Sequence, residues 1–183
     1  AVLSLTLITG FVSTGFAQDQ YRVGLVFDVG GKGDKSFNDS AYRGLEWAKN
    51  GSDEFEDFEA LPINFTTIEP GSGGAGRADA MRMMASQGFD LVIGVGFLFT
   101  DAATDLARNF PNVNFAVVDY AQFENIPSNL RGLSFAEHEG SFLVGALAGM
   151  FLEDMDVENP KLGYIGGMDI PLIHKFHGGY MAG

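Results

Sequence analysis

The sequence predicts an α/β fold in which a parallel sheet carries helices on both faces, and three observations point to it. Short apolar runs recur at 22–27, 62–68, 90–95, 114–120 and 131–135, and they are too continuous for strands wetted on one side. Segments with apolar residues at helical spacing lie between most of them. The runs and helices alternate at close intervals, which is the signature of crossover connections between parallel strands.

The stretch Tyr21–Asn50 sets the pattern. Arg22–Phe27 reads as a strand covered on both faces, and Asp28 falls at its carboxyl end, where open α/β sheets take their ligands. Gly30, Gly31 and Gly33 supply a sharp turn. Ser36 and Asp39 have capping-box spacing, so a helix is expected to start there. Phe37 and Asn38 lie between them at the helix entrance, where a flat apolar ring beside a two-way hydrogen-bonding amide suits a planar polar ligand such as a nucleobase.

Farther along, Gly51–Phe58 reads as an acidic solvated connector, Pro62–Ile68 as the second strand and Glu69–Gly76 as a glycine-rich loop. Ala78, Met81, Met84, Ala85 and Phe89 lie at helical spacing over Arg77–Gln87, with Gly88 as the stop; such a methionine stripe fills a core. Asp90–Val95 is expected at the centre of the sheet. The turn Gly96–Phe99 leads to Thr100 as N-cap of a short helix reaching Asn109. Asn114–Tyr120 and Arg131–Phe135 are strands four and five. Ser141–Leu152 carries no charge and, at twelve residues, reads as a buried helix rather than a membrane span, with Gly145 and Gly149 as a close-packing face. Lys161–Gly166 reads as a further strand and Pro171–Gly183 as the start of a helix.

Composition narrows the function. A net charge of −13 with 11 Lys and Arg scattered over 183 residues argues against nucleic acid and against anionic lipid. Residues 1–17 are uncharged, and small residues at Gly15 and Ala17 fit a cleavage site, so they read as part of a signal peptide. Cysteine is absent, so neither disulfides nor a lipid-bearing thiol is expected, and the mature protein should be free in the periplasm or its equivalent. With no initiating Met and a last helix cut short, both ends read as those of a fragment.

Several motifs fail on context. Gly71–Gly76 fits G-x-G-x-x-G, but Pro70 interrupts the strand exit and the next strand ends without an acidic residue for a ribose. The Gly30–Ser36 loop lacks the first glycine of a phosphate loop, and Asp34, Ser36 and Asn38 lack the glycine and the twelfth-position glutamate of a calcium loop. His174 and His177 have no third ligand nearby. No cofactor, no metal and no catalytic nucleophile is expected.

The runs VGLVFDVGGKGDKSFNDSAYRGL, DLVIGVGFLFTDA, FAVVDY, EHEGSFLVGALAGM and KLGYIGGMDIPLIHKFHGGYMAG, in this order from Tyr21 to Gly183, resemble the basic membrane protein family of ABC-importer substrate-binding proteins, which includes a purine nucleoside receptor. The resemblance implies a type I periplasmic-binding fold, two Rossmann-like lobes joined by a hinge. Residues 18–134 would form the N-terminal lobe and 135–183 the start of the second. It implies that Phe37 stacks on a base, that Asn38 and Asp119 bond to it, and that Asp28, Gly96 and Phe97 line the same cleft, while the second stacking aromatic lies past residue 183. The implied partners are a small solute, foremost a purine nucleoside, and an ABC permease in the inner membrane. Three alternatives stay open: the same fold binding a sugar or other small polar metabolite, a secreted metal-dependent nucleoside hydrolase using Asp28, Asp34 and Asp39, and a cytoplasmic regulator, which would need a DNA-binding head at the N-terminus.

Overall fold

The computed structural model describes residues 20–55, 58–71, 75–122, 124–155 and 158–183, so the expected signal segment lies outside the described residues. Strands β1 (Tyr21–Val26), β2 (Ile63–Ile68), β3 (Leu91–Val95), β4 (Asn114–Val118) and β5 (Leu130–Leu133) form one sheet in the order β2-β1-β3-β4-β5, every pair parallel. Helices α1 (Phe37–Asn50), α2 (Arg77–Ser86) and α3 (Thr100–Asn109) connect the first four strands, and α4 (Glu137–Asp154) and α5 (Pro171–Ala182) follow β5. β3 is central, as its unbroken apolar run requires, because only a strand flanked on both edges and covered on both faces needs no polar alternation.

The core splits into two clusters, one on each face of the sheet. Against α2 and α3 lie Val26, Val92, Phe115, Val117 and Leu130, packed on Met81, Met84, Phe99 and Leu106. Against α1 lie Val23, Leu25, Phe27, Ile63 and Val95, packed on Leu45 with Ala41, Tyr42 and Ala48 at its margin. The methionine stripe is therefore core, with Met81 and Met84 fully buried and Ala80 taking the inner position expected of Ala78. Gly88 stops α2 in the left-handed region at φ +74°.

Two helix starts differ from the expected caps. Ser36 makes no side-chain bond at the start of α1; instead Asp34 accepts the backbone N–H groups of Ser36, Asn38 and Asp39 at 2.8, 3.0 and 3.1 Å. Asp39 reaches back to Gly33 and Lys35 at 2.7 and 3.0 Å. A carboxylate two residues upstream reaches three amides at once, which a hydroxyl at Ser36 cannot do. Thr100 lies inside α3, buried, and its hydroxyl accepts the Ala121 N–H at 3.1 Å, tying the helix to the exit of β4.

The C-terminal segment departs further. Residues 161–166 form no strand among the described residues, where no neighbouring strand offers them a ladder. The apolar run 141–152 lies in α4, but it is not buried: Leu143, Val144, Leu147, Met150 and Phe151 are all exposed. Among the described elements α4 packs chiefly on α5, through glycines. A Cβ on Gly145 would meet the Tyr180 carbonyl oxygen at 2.1 Å, and one on Gly179 the His138 carbonyl oxygen at 2.2 Å. A Cβ on Gly149, the other half of the expected face, would meet nothing within 4 Å among the described residues. No helix among the described residues is long and apolar enough to cross a membrane.

Asn129, just before β5, donates its side-chain amide to the carbonyls of Ala107, Phe110 and Val113 at 3.0, 3.1 and 2.7 Å, closing the end of α3 against the sheet. Asn129→Ala strands these acceptors and is expected to lower unfolding stability by about 1–3 kcal/mol in urea titration.

Candidate functional site

The turn after β1 is built to hold one aromatic ring in the open. Asp34 and Asp39 collect five backbone N–H groups around it, and Glu69 accepts the Lys32 N–H at 3.1 Å from the loop after β2. Burial works to raise the Asp34 carboxyl, yet the amides of Asn38, Ser36 and Asp39 outweigh it and hold the group below the usual carboxylate range. Phe37 emerges from this frame at the first position of α1 with 46% of its surface exposed.

The next residue faces the other way. Asn38 is 2% exposed and its side-chain oxygen accepts the Asp28 N–H at 2.9 Å, while its nitrogen lies 3.5 Å from the Asp28 carbonyl. That amide joins α1 to the end of β1 and lies behind the ring rather than beside it. Asp28 is likewise engaged: its carboxylate accepts the Val29 N–H at 2.7 Å and the Arg77 Nε–H at 2.8 Å, and is ion-paired with Arg77 Nη2. Gly96 at the end of β3 has φ +103°, and a Cβ there would lie 2.7 Å from Asp28 Oδ2, so only glycine fits. Phe97 lines a different cavity, of about 730 Å³, together with Leu98, Gln122 and Leu172.

Asp119 follows β4 directly and sits in the left-handed region at φ +67°, its N–H and that of Tyr120 both donating to the Leu133 carbonyl at 2.8 and 3.1 Å. A non-glycine residue held there costs on the order of 1 kcal/mol. The turn directs the carboxylate into a cavity of about 510 Å³, which Phe37, Glu137, Tyr164, Phe176 and Tyr180 also line. Asp119 is only 9% exposed, and among the described residues no hydrogen bond reaches its carboxylate. Burial raises its proton affinity above the usual carboxylate range, and the neighbouring Glu137 raises it further, partly offset by Lys175. Glu137 is itself buried, accepting the Phe135 N–H at 3.3 Å and pairing with Lys175 Nζ at 3.3 Å.

Of the six residues expected to bind, the structure brings Phe37 and Asp119 into one cavity. Asn38, Asp28 and Gly96 form the bracing behind it, and Phe97 stands apart. Sequence reasoning missed Glu137, Tyr164, Phe176 and Tyr180. The strand-end rule that singled out Asp28 and Asp119 also covers Glu137, four residues past β5; nothing in the local pattern marks the three aromatics. The carboxylates of the hydrolase alternative, Asp28, Asp34 and Asp39, are each tied to backbone amides, with Arg77 added at Asp28.

Ionised Asp119 destabilises the fold, because the folded chain binds its proton more tightly than the unfolded chain does. Its contribution is therefore complete in acid and is lost as pH rises through the elevated folded value. Asp119→Asn is expected to unfold at higher urea than the parent at pH 7, and the difference should shrink towards pH 4.

Residues 21–183 match the family model of ABC transporter substrate-binding proteins described as PnrA-like. The chain is 33% identical over 177 residues to an uncharacterized lipoprotein of Pyrococcus abyssi (strain GE5 / Orsay), covering 96% of this chain and 41% of that protein. It is 30% identical over 172 residues to the ABC transporter nucleoside-binding protein BmpA of Lactococcus lactis subsp. cremoris (strain MG1363), covering 93% of this chain and 45% of that protein. The crystal structure of an ABC transporter solute-binding protein from Aeropyrum pernix K1 superposes with a TM-score of 0.70 at 31% identity, over 88% of this chain and 42% of that one. The sheet is thus that of the periplasmic-binding-protein fold, and the chain spans less than half the length of these relatives.

Proposed function

The chain belongs to the PnrA-like family of ABC transporter substrate-binding proteins, and from that premise we propose that the protein is the solute receptor of an ABC importer whose solute is a purine nucleoside. It does no chemistry on the solute. It works outside the cytoplasmic membrane, in the periplasm or its equivalent, and hands the solute to a permease in the inner membrane. The Pyrococcus relative is named a lipoprotein, whereas the 183 residues hold no cysteine, so the expectation of a receptor without a lipid-bearing thiol is confined to those residues.

One observation carries the choice of solute. An aromatic ring with an open face, Phe37, shares a cavity with a carboxylate, Asp119, that is nine-tenths buried and has no hydrogen-bond partner among the described residues. The carboxylate oxygens meet solvent only at the cavity, so a ligand that fills the cavity displaces that solvent and must supply N–H or O–H groups in its place. A purine nucleoside offers both parts at once, a flat π-face for the ring and base N–H donors for the carboxylate, from N1–H in inosine and guanosine or the exocyclic amino group in adenosine and guanosine. Stacking contributes on the order of 1–3 kcal/mol per base, and a carboxylate left unpaired by the wrong ligand discriminates strongly. The L. lactis relative is named for nucleoside binding, which supports the same reading.

Residues 18–134 form one lobe in this reading and 135–183 begin a second, with the solute enclosed when the two close on their hinge. The cavity already draws its wall from both segments, Phe37 and Asp119 from the first and Glu137, Tyr164 and Tyr180 from the second. The exposed apolar side of α4 is where the remainder of the second lobe packs.

Calorimetric titration with adenosine, guanosine, inosine, uridine and ribose tests the solute. Tight binding of the purine nucleosides is expected, weakened roughly 10- to 100-fold by Phe37→Ala, in line with the loss of one stacking partner. Binding of ribose but of no nucleoside would move the assignment to the sugar alternative.

A further inference from the structure

The cavity holds more charge than the capture of one nucleobase edge requires. Glu137 lies in the first turn of α4, where the helix dipole favours an anion, and its side chain is 3% exposed. Its two contacts, the Phe135 N–H and Lys175 Nζ, are both long at 3.3 Å and use part of a carboxylate's acceptor capacity. Asp119 shares the same cavity and feels the charge of Glu137. The cavity is lined by two carboxylates, and the Lys175 ammonium that pairs with Glu137 is not part of its lining; the remaining lining is mostly aromatic and aliphatic, where Coulomb interactions are stronger than in water.

We infer, resting on the reading of this cavity as the ligand site, that Glu137 is a second recognition carboxylate which acts with Asp119 to admit ligands bearing separate N–H or O–H donors and to turn away ligands that carry negative charge. A nucleoside meets the demand, because its base and its sugar hydroxyls present donors at opposite ends. Its 5′-phosphate brings a dianion into a pocket that is already negative, so the receptor selects nucleosides against nucleotides by repulsion as well as by fit. Lys175 tempers the repulsion without cancelling it.

The test compares adenosine, 5′-amino-5′-deoxyadenosine and adenosine 5′-monophosphate by calorimetry on the full chain, with Glu137→Gln and Lys175→Met variants checked for folding by circular dichroism. The parent chain is expected to bind the amine at least as tightly as adenosine and the monophosphate at least 100-fold more weakly. Glu137→Gln should narrow the gap between adenosine and its monophosphate by tenfold or more, and Lys175→Met should widen it. An unchanged gap in both folded variants, or equal binding of adenosine and the monophosphate by the parent chain, overturns the inference. Silence from all three compounds removes the nucleoside reading alone. The preference is then read from ribose against ribose 5-phosphate, where a neutral preference that Glu137→Gln narrows supports the role of Glu137, and parity or silence overturns it.

Discussion

Everything at the carboxyl end of this sheet depends on one buried side-chain amide. Asn38 seals the exit of β1 to the first turn of α1 by bonding the backbone of Asp28, and it does so out of reach of water. With that joint closed, the turn has little freedom left, and Asp34 and Asp39 consume its amides from the solvent side. The backbone that carries Phe37 is consequently fixed on both sides of the ring. A fixed backbone avoids the ordering entropy that a mobile loop loses on contact.

The opposite wall works by unfulfilled electrostatics. A carboxylate held by a left-handed backbone turn, desolvated and unpaired, is a poor element of stability and a good element of recognition. Its oxygens open only onto the cavity, so in the proposed reading a ligand that fills the cavity must supply their donors. Glu137 increases the demand and Lys175 limits it, so the depth of the potential is set by two residues on α4 and α5 rather than by the sheet itself. Rigid apolar contact and tunable charge thus reside on different structural layers.

The sheet was legible in the sequence because its strands are buried on both faces and print continuous apolar runs, and the order of alternation admits few topologies. β1 to β5 all appear where those runs lie, with their ends differing by one or two residues where backbone bonds give way to turns. Phe37 and Asp119 were legible as strand-end and helix-entrance residues. Asn38 and Asp28 occupy similar positions yet face inward, a distinction that depends on which groups satisfy the loop amides, and one-dimensional spacing does not encode it. Hydrophobicity also misled in one place: the run 141–152 announces burial, but burial needs a partner surface, and among the described elements α5 is the main one. The aromatics of the cavity come from segments distant in sequence whose meeting is a tertiary fact.

The closeness of Gly96 to Asp28 imposes an order on change. A side chain at position 96 escapes a clash only after position 28 has given up its carboxylate, since a Cβ there would lie 2.7 Å from Asp28 Oδ2, the oxygen beside the one that Arg77 holds. The left-handed backbone at position 96 resists a side chain in either order, and only the order that changes position 28 first avoids adding a steric clash to it. Of the two routes to a substituted position 96, the one through position 28 therefore carries the smaller cost.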